Sequence, residues 1–308
     1  MDAIGLGAQY RVADHNVIIG RFTKGQSAPL VQTIDTYLNK VTIINNELVL
    51  KTPHHPSPMH LGALDHEWQA LNFMQGVDVS PFEIPQPVEY SKDPAFLVAT
   101  YVPGSTLSPD QIKVLPKRSF EQIGRDLGMY IARQITSAES INDPPLLAYG
   151  WPKIFREYVR DFSDPRYPTL SAVTEKLYEK WHERHSLLGA KVLRVIHGDL
   201  TSGNIVFSDV NRLTGIIDFG RLHRGDIADE LSCIPRSIGP ALLAIWAQEL
   251  QNHNIQVDSD EVMLWAELKD LQVLPYWIKA DNLSHPNFQK WRGIICKRYT
   301  NLNWDELF

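Results

Sequence analysis

Asp199, Asn204 and Asp218 stand in the stretches HGDLTSGN (197–204) and IIDFG (216–220), with Asn204 five residues after Asp199 and Asp218 fourteen further on. A loop of this shape leaves one carboxylate clear to meet an acceptor hydroxyl. It also turns an amide oxygen and a second carboxylate toward a shared point. Hard oxygen donors of that kind suit Mg2+, which keeps part of its water and takes few carboxylates beside substrate phosphates. The chemistry that needs such a set is phosphoryl transfer, where positioning and charge neutralisation carry the reaction and an Asp receives the hydroxyl proton. A polar β-turn, with Asp199 and Asn204 bonded to nearby backbone, explains HGDLTSGN taken alone. The spacing to IIDFG separates the two readings.

The D-x-x-x-x-N and D-F-G order is that of a protein-kinase catalytic loop. Such chemistry also needs a lysine for the donor's phosphates and a glutamate to hold it. Lys51 ends the apolar stretch ELVLK (47–51), and Glu67 follows on LGALDHEWQALNFM (61–74). Leu64, Trp68, Leu71 and Met74 line one face of that helix, and Glu67 sits on or beside it. A carboxylate buried there without a partner is unfavourable, which makes Lys51 the candidate partner. Upstream, FTKGQSAP (22–29) offers Gly25 for close backbone approach and N–H groups that could cradle phosphate oxygens. An ordinary hairpin turn accounts for it equally.

These residues need elements to position them. Up to residue 103 the chain reads as strands at VIIGRF (17–22), PLVQTIDTYL (29–38), KVTIIN (40–45), ELVLK (47–51) and AFLVATYV (95–102), interrupted by the helix at 61–74. Beyond Pro103-Gly104 it turns helical. Ser119 with Gln122 makes a capping-box start, and Phe120, Ile123, Leu127, Ile131 and Ile135 recur at helical spacing. Further helices are expected over 151–162, 170–188, 240–250 and 260–271, with short strands at 192–197 and 215–220 and NIVF nearby. The expectation is an α+β chain: a strand-rich lobe over 1–103, a helical lobe over 104–308, and a hinge at about 99–104.

Composition excludes several classes. A net charge of −6 over 308 residues argues against broad nucleic-acid binding. No apolar run approaches the roughly 20 residues of a membrane span, and the N-terminus carries no export signal. Cys233 and Cys296 make neither a ligand spacing nor a disulfide framework. A cytoplasmic setting follows, with no nucleic-acid or membrane partner. His54, His55, His60 and His66 lack zinc-type spacing and are assigned to a solvated loop. Trp246, Trp265, Trp277 and Trp291 are assigned to core packing.

On GQSAP, LVLK with Glu67 downstream, ATYVPG, HGDLTSGNI and IIDFGRLHRGD, the chain resembles the aminoglycoside phosphotransferase family, kinase-like enzymes that phosphorylate small-molecule hydroxyls. The likeness covers roughly residues 17–240 and implies a two-lobed protein-kinase-like fold. HGD in place of HRD, and no A-P-E after DFG, point away from protein substrates. Ile217 to Arg221, Arg236-Ser237-Ile238 and the ending Asp305-Glu306-Leu307-Phe308 are similar to the 3′-phosphotransferases, although Glu230 stands where the family usually has Asp. The resemblance implies ATP or GTP as donor and Mg2+ as cofactor. It makes Asp199 the base, Asn204 and Asp218 the metal ligands, and Lys51 the α/β-phosphate holder fixed by Glu67. Gly25 and Ser27 would cover the phosphates, and backbone groups of Thr100 and Val102 would bind the nucleobase. Arg221 would add charge near the transferring group, while Glu230, Asp305, Glu306 and the terminal carboxylate at Phe308 would meet the substrate. An aminoglycoside is the leading acceptor; choline, an amino sugar, a macrolide or a specialised metabolite are alternatives. A binding module without turnover is the rival from another class, but it has no physical need for Lys51, Glu67, Asp199, Asn204 and Asp218 together.

Overall fold

The computed structural model describes residues 14–36, 39–54, 58–141, 146, 183, 192–208, 212–237, 241–266 and 269. The chain groups into two compact units, Met1–Leu146 with Thr201–Leu222 and Leu147–Leu200 with His223–Phe308. Residues 104–146 and Thr201–Leu222 thus join the strand-rich segment, whereas composition alone divides the chain at residue 103. The helix expected at 151–162, all of 170–188 except Glu183, and everything beyond 269 lie outside the described residues.

In chain order the elements are α1 (His15–Phe22), β1 (Val31–Asp35), β2 (Asn39–Ile44), β3 (Leu48–Pro53), α2 (Pro58–Met74), β4 (Pro87–Lys92), β5 (Ala95–Thr100) and β6 (Ser105–Thr106). Then follow α3 (Pro109–Lys113), α4 (Lys117–Glu139), β7 (Arg194–Ile196), β8 (Ile205–Phe207), β9 (Leu213–Ile216), β10 (His223–Gly225), α5 (Ile227–Ser237) and α6 (Ala241–Asn252).

VIIGRF, expected as a strand, forms most of α1. Asp14 supplies the reason: its carboxylate accepts the N–H groups of Asn16 and Val17 at 3.0 and 3.3 Å, satisfying donors that a helix start leaves open. Ile18, Ile19 and Phe22 then share one stripe and pack on Ile44, Leu50, Phe96 and Val98. Val17, off that stripe, stays exposed.

In the first unit, five antiparallel strands lie in the order β1-β2-β3-β5-β4. Alternation gives the sheet two faces. Leu50, opposite Thr42 and Val98, faces α1. Lys51, opposite Val41 and Leu97, faces the other way. The helix α2 covers this second face, where Trp68 stacks on Tyr90 with ring centroids 5.6 Å apart and Tyr90 pairs with Leu97. The strand β4 (PVEYSK) gave no apolar signal in the sequence, since an edge strand tolerates proline and polar side chains.

The capping box lies earlier than expected. It joins Ser108 and Gln111 at α3, while α4 starts after Pro116 without a side-chain cap. Gln122 instead donates to Asp126 at 2.7 Å within the helix. Ile123, Leu127, Ile131 and Ile135 are buried as their spacing predicts, each contributing about 1.5–3 kcal/mol. A second sheet, β6-β8-β9, completes this unit. Gly215 is required there, because a Cβ would collide with the Glu83 carbonyl and lie 2.7 Å from Val102 Cγ1.

In the second unit β7 pairs with β10, and Asp226 caps α5 by accepting the Ala228 N–H at 2.9 Å. Trp246 and Trp265 are core residues; Trp277 and Trp291 lie outside the described residues. Among the described residues no helix is long and apolar enough to cross a membrane.

Candidate active site

Lys51 lies inside the sheet of the first unit, so its ammonium emerges between α2 and the segment after β9. Its Nζ donates to Glu67 Oε1 at 2.6 Å and to Asp218 Oδ1 at 2.9 Å. Glu67 is only 5% exposed, which answers how a carboxylate survives beside an apolar helix face. Burial pushes the Glu67 carboxyl up, against the pull of Lys51, and the Asp218 charge adds to the rise. Burial alone would depress Lys51, but Asp218 and Glu67 together hold its ammonium well above the ordinary range. Lys51 therefore stays charged at any physiological pH.

Asn204 and Asp218 are brought together by one ladder. Ile205 pairs with Ile216 across β8 and β9, and the Ile217 N–H donates to the Asn204 carbonyl at 3.0 Å. Asn204, in the 3-10 turn Ser202–Asn204, and Asp218 thus leave the same end of the ladder. Asp218 has φ +67, a left-handed conformation that costs a non-glycine residue about 1–3 kcal/mol. Its side chain is 49% exposed. One carboxylate and one amide oxygen at adjoining positions fit Mg2+, which needs few protein ligands beside phosphates and water. Among the described residues no group of three or more His, Cys, Asp or Glu gathers around a point. His54 and His66 are tied instead to the carbonyls of Thr36 and Leu222, at 2.8 Å each. His55 and the side chain of His60 lie outside the described residues.

Asp199 belongs to the second unit, and the chain passes to the first between Leu200 and Thr201. It follows Gly198, whose φ of +79 is a conformation that favours glycine. Glu230, expected to face the substrate, does something else. It is fully buried, and its two oxygens accept the N–H groups of His197 and Gly198 at 3.0 and 2.8 Å. No bound ammonium group can reach a carboxylate so enclosed. From the first turn of α5, Glu230 fixes the backbone of the turn that carries Asp199. The sequence signal was its position opposite an acidic residue of the family, but that signal does not say which way the side chain points.

Beside it, Asp229 lies 2.6 Å from Lys269 Nζ, which also donates to the Asp229 carbonyl and to Cys233 Sγ at 2.7 and 3.0 Å. Burial would raise the Asp229 carboxyl, but Lys269 and His223 hold it far below the usual carboxylate range. Burial pushes the Cys233 thiol up.

The remaining candidates are less closely joined. Gly25, at φ +87, and Ser27 lie in a loop that follows a helix, not a strand. That loop is pinned by Gln26, which accepts from Asn45 Nδ2 at 2.7 Å, and none of its hydrogen bonds reaches Lys51. The Thr100 N–H is committed to the Gln86 carbonyl at 2.9 Å and is not open to a nucleobase. A cavity of about 360 Å³ adjoins Thr100 and Tyr101 on the side of Met74, Glu83 and Gln86. Lys51, Glu67 and Asp218 are not among the residues that line it. Arg221 is exposed in the turn after Asp218. Asp305, Glu306 and Phe308 lie outside the described residues.

This geometry can be set beside known proteins. Viomycin phosphotransferase of Streptomyces vinaceus is 23% identical over 181 residues, covering 56% of this chain, and the chain spans 62% of that relative's length. The GDP and kanamycin complex of the aminoglycoside phosphotransferase APH(2″)-IIIa superposes with a TM-score of 0.74 at 18% identity, covering 93% of this chain and 99% of that one. A macrolide 2′-phosphotransferase of Brachybacterium faecium gives a TM-score of 0.60 at 13% identity, covering 92% and 97%. The fold is therefore the kinase-like α+β fold of these enzymes. The solved relatives bear 2″ and 2′ designations, whereas sequence features suggested the 3′ enzymes. The model of the phosphotransferase enzyme family matches residues 24–265, and the chain belongs to that family.

Proposed function

We propose that the protein transfers the γ-phosphate of ATP or GTP to a hydroxyl of a small molecule, with an aminoglycoside as the leading acceptor. The observation that carries this reading is the Lys51 ammonium gripped by Glu67 and Asp218 beside the ladder end that presents Asn204. The relatives named for aminoglycosides, viomycin and macrolides support an acceptor of the antibiotic class.

In this reading residues 1–103 bind the nucleotide, and 104–308 carry the catalytic residues and bind the acceptor. Lys51 binds the α- and β-phosphates, oriented by Glu67. Asn204 and Asp218 hold Mg2+, which would neutralise charge on the phosphates. Asp199 takes the acceptor proton as the new oxygen–phosphorus bond forms and the bond to the β-phosphate oxygen breaks, releasing the nucleoside diphosphate. Arg221 adds positive charge beside Asp218. The Thr100 carbonyl and the Val102 backbone receive the nucleobase, and the terminal acidic residues with the Phe308 carboxylate receive the acceptor's ammonium groups. Gly25 and Ser27 cover the phosphates.

The test is release of nucleoside diphosphate from ATP and from GTP across aminoglycosides, viomycin, macrolides, choline and amino sugars. Release that depends on one acceptor class is expected. Nucleotide binding with no acceptor-dependent release would overturn the enzymatic reading.

A further inference from the structure

Consecutive residues of α2 reach two different parts of the site. Glu67 points to Lys51 on β3, while His66 Nε2 donates to the Leu222 carbonyl at 2.8 Å. Successive side chains diverge by roughly 100° around a helix, so the pair grips both sides of the segment between them. That segment, Asp218 to Leu222, begins in a left-handed conformation that a non-glycine residue rarely adopts. On its upstream side the Ile217 N–H is tied to the Asn204 carbonyl, and Lys51 holds the Asp218 side chain. A turn follows, closed by the Leu222 N–H on the Phe219 carbonyl at 3.0 Å. The Leu222 carbonyl accepts from His66 Nε2, a side chain of α2. Phe219 and Leu222 are fully buried, which fixes where the turn packs, but packing does not orient a peptide plane. Gly220 brings the turn against α2: a Cβ there would lie 3.9 Å from Glu67 Cβ.

We propose that His66 is a positioning residue: its donor fixes the far end of the Phe219–Leu222 turn and so keeps Asp218 in the orientation that serves the metal. This deepens the phosphotransferase reading and rests on it for the role of Asp218. The bond needs an Nε2 proton, since a carbonyl oxygen can only accept.

The test compares His66→Phe, which keeps ring bulk without a donor, with His66→Gln, which keeps an amide donor. Removing groups that orient metal ligands typically costs about 10–100-fold in metal affinity. In His66→Phe, the Mg2+ concentration needed for binding a fluorescent ATP analogue should rise by about 10-fold, with metal-free nucleotide affinity unchanged. Amides of residues 217–222 should exchange faster in the nucleotide-free protein. His66→Gln should recover most of both. Wild-type behaviour of His66→Phe in either readout, or a His66→Gln variant as impaired as His66→Phe, would overturn the proposal. A wild-type protein that binds no Mg2+-nucleotide overturns the phosphotransferase reading instead; the exchange comparison then still decides whether His66 holds the turn.

Discussion

Lys51, with its side chain 13% exposed, and Lys269, at 5%, are finished differently. Lys269 meets the single carboxylate of Asp229, and its other partners are the Asp229 carbonyl and the Cys233 sulfur. Side-chain exposure is 5% and 7%, so the cluster is sealed, and His223 Nε2 stands 3.6 Å from the same carboxylate. Lys51 meets two carboxylates, and one of them, Asp218, is 49% exposed. One ammonium between two carboxylates leaves negative charge at the open end. A sealed pair locks a helix in place; an open, acid-rich one is suited to receive a cation together with phosphates. The Lys269 pair holds α5, and α5 carries Glu230, so even the sealed cluster serves the Asp199 turn at one remove.

The comparison can be broken by experiment. Asp199→Asn should lower kcat by about 10²–10⁴-fold, the range for a lost general base, with nucleotide affinity almost unchanged. Normal turnover would remove Asp199 from the chemistry. Asp229→Asn leaves Lys269 buried without its counter-charge and should cost about 3–5 kcal/mol of unfolding free energy, measured by urea denaturation at neutral pH. Lys51→Met should cost less stability, because Asp218 can hydrate and Glu67 can protonate, yet it should abolish tight nucleotide binding. Equal destabilisation by Lys51→Met and Lys269→Met would erase the distinction between the clusters. Smallest is the expected effect of deleting residues 305–308: acceptor KM should rise with nucleotide KM constant, and an unchanged acceptor KM would exclude the tail.

Acid sharpens the same contrast. The folded Asp229 carboxyl lies below its unfolded value of about 3.9, so its contribution is present above that pH and is lost as pH falls through the depressed folded value. Unfolding free energy should therefore drop on acidification below about pH 4, and Asp229→Asn should flatten that drop. Glu67 behaves in the opposite sense, since its raised carboxyl means that protonation relieves a burial cost rather than breaking a favourable charge.

How much of this was legible in the sequence depended on whether one side chain's environment could be inferred from its neighbours. The Lys51–Glu67 pair could, because a helix-face carboxylate demands a cation and one strand offered it. The buried stripe of α4 could, because helical spacing repeats over several turns. VIIGRF could not: three apolar residues in a row satisfy either period, and the cap at Asp14 decided the matter. The role of Glu230 was hidden because its partners are backbone N–H groups, which leave no trace in residue identity. The Lys269 cluster was missed for a related reason, since forty residues separate Lys269 from Asp229 and no motif links them.

The segment Thr201–Leu222 belongs with Met1–Leu146 although more than fifty residues intervene. Its strand β8 pairs with β6, so Thr106 waits for Val206 to emerge. At about 5–20 residues per second, the ribosome needs roughly 5–20 s to supply the missing hundred residues. Until then Gly104 and the Glu83 carbonyl present a half-built edge. The first unit therefore cannot close cotranslationally as an N-terminal piece, and a chain truncated after Leu146 would lack both the strands that complete it and Asp218 itself.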